Sequence, residues 1–219
     1  MDIKQIINSR HSVRQYKDKP IEDDLREELN EYVDTLNKES GLNVQIIYDE
    51  PKCFDSFMAH YGKFDGVTNY IAIVGKKNKD LDIKAGYYGE MLVLKAQELG
   101  LNTCWVALTH GKSKAVVGKG EKQVIIISLG YGKHRGFSHK SKWIEDVIAN
   151  PSEFPDWAKE GVEYALLAPT AMNQQKFIFE YKDNKVMIKN KGGMYSKVDL
   201  GIVASHFDLV TGKKAELIY

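Results

Sequence analysis

The stretch DIKAGYYGEMLVLKAQELGLNTCWVAL, residues 82–108, decides how the rest of the chain is arranged. Its first part is apolar on nearly every face, and a helix without a polar face has to be buried among neighbours. Gly100 stands where a left-handed C-cap is expected, and residues 103–108 after it read as a strand or a site-lining segment. We therefore predict a buried central helix followed by an extended segment.

A second stretch, SKVDLGIVASHFDLVTGK at residues 196–213, resembles the first. When the two are aligned on their glycines, Gly86 and Gly89 correspond to Gly201 and Ala204. Small residues three apart allow one helix to approach another closely. Each stretch also follows a helix and two strands, so we predict a weak internal repeat. We expect the two helices to pack against each other, or each against its mate in a dimer.

The composition is that of a globular protein with a buried core. Of the 219 residues 43% are hydrophobic, and 31 Lys and Arg oppose 30 Asp and Glu. The net charge of +1 gives no field that would attract nucleic acid. The two cysteines and the spacing of the six histidines match neither a disulfide framework nor a metal site.

Neither a membrane span nor a secretion signal is expected. No apolar run approaches the length of about 18 residues that a membrane helix needs. The first residues, MDIKQIINSRHS, lack the apolar region of a signal peptide. We therefore expect a cytoplasmic protein without membrane contacts.

The pattern of strands and helices indicates an α+β fold with a mainly antiparallel sheet. Apolar runs bounded by turn residues predict strands at residues 43–49, 70–75, 124–129, 176–181 and 185–190, and helical spacing predicts helices at 21–36, 157–167 and 198–210. Asn150 and Pro151 mark the internal boundary. We predict a first unit at residues 1–150 and a smaller second unit at 151–219, which together form one compact fold.

Two arginines four residues apart suggest an anion site near the N-terminus. Arg10 and Arg14 flank Ser12, and two guanidinium groups with a hydroxyl suit a phosphate or a carboxylate. Alternatively, the arginines pair with acids such as Asp18 or Glu22. The residues alone leave both interpretations open.

The segment LAPTAMNQQKF at residues 167–177 presents carboxamides from a turn that precedes a strand. Carboxamides both donate and accept hydrogen bonds, which suits the edge of a heteroaromatic ring. Alternatively, Asn173 forms an Asx turn and Gln175 lies at the surface. A loop at residues 50–69 is rich in aromatic side chains, which either cap a binding site or fill the edge of the core.

Several motifs together resemble the signature segments of the FMN-dependent nitroreductase family. They are Arg10-His-Ser-Val-Arg14-Gln-Tyr, Leu99-Gly-Leu-Asn-Thr-Cys-Trp105, Leu129-Gly-Tyr131, Lys140-Ser-Lys142 and Ala168-Pro-Thr-Ala-Met-Asn173-Gln-Gln175. The resemblance implies an α+β sandwich, a mainly antiparallel sheet flanked by helices. It also implies FMN at the interface between two subunits of a dimer.

The resemblance also implies roles for individual residues. The segment with Arg10, His11, Ser12 and Arg14 matches the phosphate and ribityl site, and Lys140 and Lys142 match the second basic pair. Thr170, Asn173 and Gln175 match the residues on the pyrimidine side of the flavin. Ala107 and Leu108 match the backbone that lies along the flavin ring. No side chain is expected to act as an acid–base catalyst or as a metal ligand, because the flavin carries the redox chemistry.

The chain departs from the family pattern in three places. Gln175 is followed by Lys176 instead of the common Pro. The Ala-Pro-Thr segment lies far downstream instead of soon after the first amphipathic helix, and Ala107-Leu108 replaces a Glu-Gly or similar pair. A fusion of two half-family units would explain both the displaced segment and the repeat. It predicts that Arg10 or Arg14 and Asn173 converge on one cleft.

The function implied by the resemblance is that of an FMN-dependent oxidoreductase. It would use NADH or NADPH to reduce a nitroaromatic, a quinone or a similar small acceptor, as a homodimer or a pseudo-dimeric monomer. The alternative is a flavin- or nucleotide-binding regulatory module, or a family member without turnover, because Ala107-Leu108 is atypical.

Overall fold

The computed structural model of the protein describes all residues from 1 to 219 and divides them into two compact units. We name each unit after the strands that it contains. The β1–β4 unit comprises Arg10–Leu81 and Leu92–Ser138, and the β5–β8 unit comprises Met1–Ser9, Asp82–Met91 and His139–Tyr219.

The helices are α1 (Ile3–Ser9), α2 (Asp23–Ser40), α3 (Phe57–Tyr61), α4 (Leu81–Glu98), α5 (Asp156–Ala165) and α6 (Ser196–Thr211). The strands are β1 (Asn43–Ile47), β2 (Asn69–Lys76), β3 (Asn102–Val106), β4 (Glu121–Gly130), β5 (Ile148–Ala149), β6 (Phe177–Lys182), β7 (Lys185–Asn190) and β8 (Glu216–Ile218). None of the helices is long and apolar enough to cross a membrane.

The β1–β4 unit contains a four-stranded antiparallel sheet in the order β1-β2-β4-β3. Its central strands are the continuous apolar runs of the sequence, and seven of the eight residues of β2 are buried. A core of buried side chains packs on the sheet, among them Val13, Tyr16, Phe54, Phe64, Tyr70 and Ile126. The predicted strands of this unit are therefore confirmed. Their burial has a simple cause, since a run that is apolar on both faces is stable only where both faces are covered.

The β5–β8 unit contains a second four-stranded sheet in the order β5-β6-β7-β8. The central hairpin of β6 and β7 is antiparallel, whereas β5 and β8 pair in parallel with their neighbours. Asp183 and Asn184 turn the hairpin with positive φ angles of 51° and 60°, which are the angles that a two-residue hairpin turn requires. Together the two sheets confirm the predicted α+β class with mainly antiparallel strands.

Helix α4 is the buried central helix that the sequence predicts. Of its residues only Lys84 and Glu98 are exposed. Gly100 adopts the left-handed conformation expected of a cap, at φ 79°, and the backbone N–H of Leu101 donates to the Ala96 carbonyl at 2.9 Å. Residues 82–91 of this helix belong to the β5–β8 unit, and the remainder belongs to the β1–β4 unit.

Helices α4 and α6 cross at Gly86 and Gly201, as their small residues predict. A Cβ atom on Gly86 would lie 2.0 Å from the Val198 carbonyl oxygen, and one on Gly201 would lie 2.1 Å from the Ile83 carbonyl oxygen. The crossing therefore requires glycine on both helices. The internal repeat itself is not confirmed, since the two sheets differ in the direction of their strand pairs.

The compact units do not follow the predicted boundary at residue 150. Helix α1 and the first half of α4 group with the residues after 138, so the β5–β8 unit is assembled from three separate stretches. The crossing with α6 joins the first half of α4 to this unit, because Gly86 packs directly on the backbone at Val198. Such a long-range contact leaves no signal at the position where the chain passes from one unit to the other.

Candidate functional site

The segment around Ser12 lies along β3 in the β1–β4 unit. Ser12 forms a parallel bridge with Thr103, and the N–H of Val13 donates to the Thr103 carbonyl at 2.9 Å. Tyr16 is buried, and its hydroxyl bonds the Val13 carbonyl and the Ser128 hydroxyl, each at 2.8 Å. The backbone of the predicted phosphate segment is thereby fixed to the sheet.

The cationic side chains of this segment have different environments. Arg10 is buried, whereas Arg14 is exposed and lies 5.9 Å over the ring of Phe64. Arg14 pairs with neither Asp18 nor Glu22. Glu22 instead contacts Lys19 at 2.6 Å, which with the Tyr131 hydroxyl lowers the pKa of that carboxyl to about 2. For Arg14, the alternative of a surface ion pair is therefore wrong.

The thiol of Cys104 lies near both arginines. Burial raises its pKa, and a hydrogen bond with Ser12 and the positive charges of Arg14 and Arg10 oppose that rise. His11 is half-buried, and a Cβ atom on Gly136 would lie 2.5 Å from the His11 Cβ. The loop at residue 136 therefore packs tightly on the same segment.

Ala107 and Leu108 follow β3 and lie beside the aromatic loop. Val106 before them is buried, whereas the side chain of Leu108 is 60% exposed. The loop contacts the next residues, since the N–H of Gly111 donates to the Cys53 carbonyl at 2.6 Å. A Cβ atom on Gly62 would also lie 2.6 Å from the Thr109 Cβ.

The aromatic residues of that loop divide between the core and the surface. Phe54 and Phe64 are buried and stack edge to face with ring centroids 5.1 Å apart. Phe57 and Tyr61, on α3, are 82% and 75% exposed. Phe54 and Phe64 therefore fill the edge of the core, whereas a binding site capped by the exposed Phe57 and Tyr61 stays a prediction.

The turn at residues 170–175 in the β5–β8 unit has an unusual backbone. Met172, Asn173 and Gln175 all have positive φ angles, of 50°, 54° and 44°. Such angles cost about 1 kcal/mol or more each in residues other than glycine, so other contacts have to hold the turn.

Gln175 provides most of those contacts. It is only 2% exposed, its Oε1 accepts from the backbone N–H of Lys142 at 2.8 Å, and its Nε2 donates to the Lys140 carbonyl at 2.9 Å. The same Nε2 lies 2.8 Å from Oδ1 of Asn173, and the N–H of Gln175 donates to the Thr170 hydroxyl at 3.1 Å. The alternative of Gln175 at the surface is therefore wrong.

Asn173 and Lys142 complete the network. Asn173 Nδ2 donates to the Lys140 carbonyl at 2.8 Å, and the Lys142 ammonium donates to the Gln175 carbonyl at 2.7 Å. The side chain of Asn173 remains exposed. The structure thus brings together all five residues that were predicted in this unit.

Asp199 also holds the turn, in part through Gln174, and the motifs that carry the family resemblance do not include Asp199. Asp199, in the first turn of α6, is 5% exposed and accepts from the Ala171 N–H at 2.9 Å and from Gln174 Nε2 at 2.6 Å. Burial raises the pKa of Asp199 to about 6, against the effect of both hydrogen bonds. A carboxylate two residues before Gly201, within the apolar run of α6, is the sequence signal that marks it.

A second buried polar pair lies in the same unit. Glu90 Oε1 is 2.9 Å from His206 Nε2, and both side chains are fully buried. His206 Nδ1 lies 3.0 Å from the Tyr164 carbonyl, which can only accept, so Nδ1 is the donor. The pair fixes α4 to α6.

No group of three or more side chains that could hold a metal ion occurs in the structure.

The predicted site residues therefore form two clusters, one in each unit. Arg10, His11, Ser12, Arg14, Ala107 and Leu108 lie in the β1–β4 unit, and Lys140, Lys142, Thr170, Asn173 and Gln175 lie in the β5–β8 unit. The expectation that Arg10 or Arg14 and Asn173 share one cleft stays a prediction.

Comparison with known proteins gives a family for the chain. The model of a protein family described as "Putative TM nitroreductase" matches residues 2–211. No protein with a curated description matches the chain at a significant level.

Solved structures of similar proteins share the fold. A "putative nitroreductase" from Thermotoga maritima is 26% identical, with a TM-score of 0.68 over 96% of this chain and 83% of that chain. A second "putative nitroreductase", from Desulfovibrio desulfuricans and in complex with FMN, is 20% identical, with a TM-score of 0.55 over 70% of this chain and 98% of that chain. A "putative NADH oxidase" from Clostridium acetobutylicum is 17% identical, with a TM-score of 0.50 over 65% of this chain and 96% of that chain.

Proposed function

Because the chain belongs to the nitroreductase family over residues 2–211, we propose that it is an FMN-dependent oxidoreductase that uses NADH or NADPH to reduce a nitroaromatic, a quinone or a similar small acceptor. The family match is the observation that carries this proposal. The FMN bound to the Desulfovibrio protein of the same fold supports the choice of cofactor. When bound, FMN supplies the electron transfer, and the protein supplies binding, orientation and a polar environment.

The donor set of the β1–β4 unit fits the phosphate of FMN. Arg14 is exposed and has no carboxylate partner, and Ser12 and Arg10 lie on the same segment, whose backbone is fixed to β3. Guanidinium groups bind phosphate through charge-assisted hydrogen bonds, which are about twice as strong as neutral ones. We assign Arg14 the main phosphate contact.

The donor set of the β5–β8 unit fits the polar edge of a flavin. Asn173 uses one N–H on the Lys140 carbonyl, and its exposed amide retains a second N–H and a second lone pair. Gln175 is buried and fully bonded within the protein. We therefore propose Asn173 for the ring contact and Gln175 for support of the turn, with the Lys140 ammonium as an additional cation.

The exposed aromatic residues suit a planar acceptor. Phe57 and Tyr61 lie four residues apart on α3, and the exposed Leu108 follows the strand that the loop contacts. Aromatic side chains bind flat apolar ligands by offset or edge-to-face stacking, worth about 0.5–1.5 kcal/mol for each pair. We propose that they contribute to acceptor binding.

The visible absorption spectrum of the purified protein tests this proposal. We expect flavin bands that bleach when NADH or NADPH is added without oxygen and that return when a quinone follows. Arg14→Ala should weaken FMN binding about tenfold, the loss of about 1.4 kcal/mol that one charge-assisted contact provides. Lys38→Ala, which removes an exposed cation from the last turn of α2, should leave the affinity unchanged.

Two results would contradict the proposal in different ways. A protein that binds no FMN, with or without added cofactor, would not be a flavoenzyme. A protein that binds FMN but is not reduced by either nicotinamide would be a flavin-binding module or a family member without turnover. In the second case the atypical Ala107-Leu108 pair becomes the first place to substitute.

A further inference from the structure

The carboxyl group of Asp199, on α6, holds the turn at residues 170–175 by two separate hydrogen bonds. Its Oδ1 accepts from the Ala171 N–H at 2.9 Å, and its Oδ2 accepts from Gln174 Nε2 at 2.6 Å. The side chain is 5% exposed and forms no ion pair. A buried carboxylate without a cation depends on its hydrogen bonds, and here both of them come from one turn.

The carboxamide of Gln174 has one orientation that satisfies its surroundings. Its Nε2 donates both to Asp199 and to the Met194 carbonyl, at 2.6 and 2.9 Å. A flipped amide would place its oxygen against these two acceptors. A Cβ atom on residue 193 would lie only 2.5 Å from Gln174 Oε1. Gly193, with a φ of 121°, has no Cβ and therefore leaves room for the carboxamide.

Resting on the proposed function, we propose that Asp199 is a positioning residue of the flavin site, which in its ionised form fixes the turn that presents Asn173 and in its protonated form releases it. Both carboxyl oxygens face N–H donors. Protonation removes the charge from both acceptors, and a charge-assisted hydrogen bond is about twice as strong as a neutral one, so both bonds to the turn would weaken. The affinity for FMN should then fall as Asp199 becomes protonated.

The surroundings of Asp199 place this transition close to neutral pH. Burial raises its pKa to about 6, and the hydrogen bonds from Gln174 and Ala171 limit the rise. The groups bonded to it are a neutral carboxamide and a backbone N–H, and no charged side chain contributes to the shift. Asp199, on α6, is therefore a group bonded to this turn whose charge changes near pH 6.

A merely structural role and a positioning role predict opposite trends. Because the folded-state pKa lies above the usual value, the contribution of Asp199 to stability is largest at low pH and is lost as the pH rises through about 6. With a structural role alone, acidification would favour the fold and leave FMN binding unchanged. With a positioning role, acidification weakens FMN binding over the same range.

The experiment is a titration of the protein with FMN, followed by quenching of FMN fluorescence, from about pH 7.5 to about pH 5. The FMN phosphate titrates near pH 6 itself. The wild type is therefore compared with Asp199→Asn, whose remaining pH dependence belongs to the ligand and to other groups. Asp208→Asn is the matched control, since Asp208 is a second buried carboxyl on α6 and bonds Ala215 and Tyr87 instead of the turn.

We expect Asp199→Asn to bind FMN about tenfold more weakly than the wild type at the higher pH, the loss of one net hydrogen bond. The two should converge at the lower pH, and Asp208→Asn should follow the wild type. Of the two aspartate variants, only Asp199→Asn should shift the visible band of bound FMN. Gln174→Met, which removes the donor to Oδ2, should behave like Asp199→Asn and carries the test if that variant does not fold.

The outcomes separate this inference from the function on which it rests. FMN binding with the same affinity and pH dependence in the wild type and Asp199→Asn would overturn the positioning role and leave the proposed function intact. No FMN binding by the wild type at any pH would overturn both.

Discussion

The crossing of α4 and α6 and the turn at residues 170–175 are both fixed in the β5–β8 unit, but by opposite means. At the crossing, bare backbone meets bare backbone at Gly86 and Gly201, and the polar pairs that also join the two helices, Glu90 with His206 and Tyr87 with Asp208, involve other residues. The turn is held almost entirely by polar groups, namely the carboxamide of Gln175 and the carboxyl of Asp199.

The difference decides which of the two regions can respond to a ligand or to pH. Close packing of backbone has no titratable group and no alternative arrangement of similar volume. The turn has three strained residues whose cost is met by hydrogen bonds, so loss of one bond should be enough to loosen it. We therefore expect function to depend on the turn, and the crossing to act as the fixed support.

The largest expected effect is on the crossing. Gly86→Ala or Gly201→Ala would each place a Cβ about 2 Å from a backbone carbonyl oxygen, which cannot move without moving its helix. We expect the free energy of unfolding to fall by more than about 3 kcal/mol, at the upper end of what overpacking costs. Urea denaturation followed by circular dichroism measures the loss.

Gly161→Ala is the control for the crossing. Gly161 also packs on α6, but its Cβ would meet side-chain atoms of Thr211 and Phe207 at 2.5–2.7 Å. Side chains can shift where a backbone cannot, so the loss should be smaller. If all three variants were equally destabilised, the special role of backbone contact would be refuted.

The next effect belongs to the turn and depends on pH. The rise in the pKa of Asp199 from 3.8 to about 6 corresponds to about 3 kcal/mol that burial of the charge costs the folded state. The folded state avoids this cost below about pH 4, where Asp199 is protonated, and bears it once the pH has risen through about 6. Relative to Asp199→Asn, the wild type should therefore lose up to about 3 kcal/mol of stability between about pH 4 and pH 7.

Asp183→Asn separates this effect from a general change of charge. Asp183 is exposed in the β6–β7 turn, where asparagine tolerates its positive φ equally well. Urea midpoints of the three proteins at each pH give the comparison. Parallel stability curves for the wild type and Asp199→Asn would contradict the assignment of this pH dependence to Asp199.

The crossing could be predicted from the sequence, because small residues at helical spacing on two apolar helices have few other uses. The central helix, its cap at Gly100 and the strands of both sheets follow from apolar patterns of the same local kind. The carboxamides of Asn173 and Gln175 were also recognisable as a polar cluster, since they form a motif that is contiguous in the chain.

The different roles of Asn173 and Gln175 within the turn could not be predicted. Gln175 and Asn173 have the same chemistry in the sequence, yet one is buried and fully bonded whereas the other is exposed. Asp199 reaches the turn from 25 residues beyond Gln174, and only the packing of α6 brings the two together. The assembly of the β5–β8 unit from three stretches escapes local patterns for the same reason.

A smaller effect is expected when the carboxamide of Gln175 is removed. Gln175→Leu keeps the volume and the positive φ but removes the side-chain hydrogen bonds to Lys142, Lys140 and Asn173, which should cost about 2 kcal/mol together. The exposed Gln5→Leu on α1, in the same unit, should change stability by less than about 0.5 kcal/mol. Equal stability of both variants, measured by urea denaturation, would mean that the network does not hold the turn.

The smallest effect separates the backbone of the turn from its side chains. Asn173→Gly loses the hydrogen bonds to Lys140 and Gln175 but suits a φ of 54°, whereas Asn173→Ala loses the same bonds and adds strain. Alanine should therefore be less stable than glycine by about 1 kcal/mol, although glycine is ordinarily the more costly residue in the unfolded chain. If the alanine variant were the more stable in urea, the positive φ of Asn173 would not be a property of the folded turn. If the two differ as expected but bind FMN equally weakly, the amide of Asn173 acts on the ligand directly and not through the shape of the backbone.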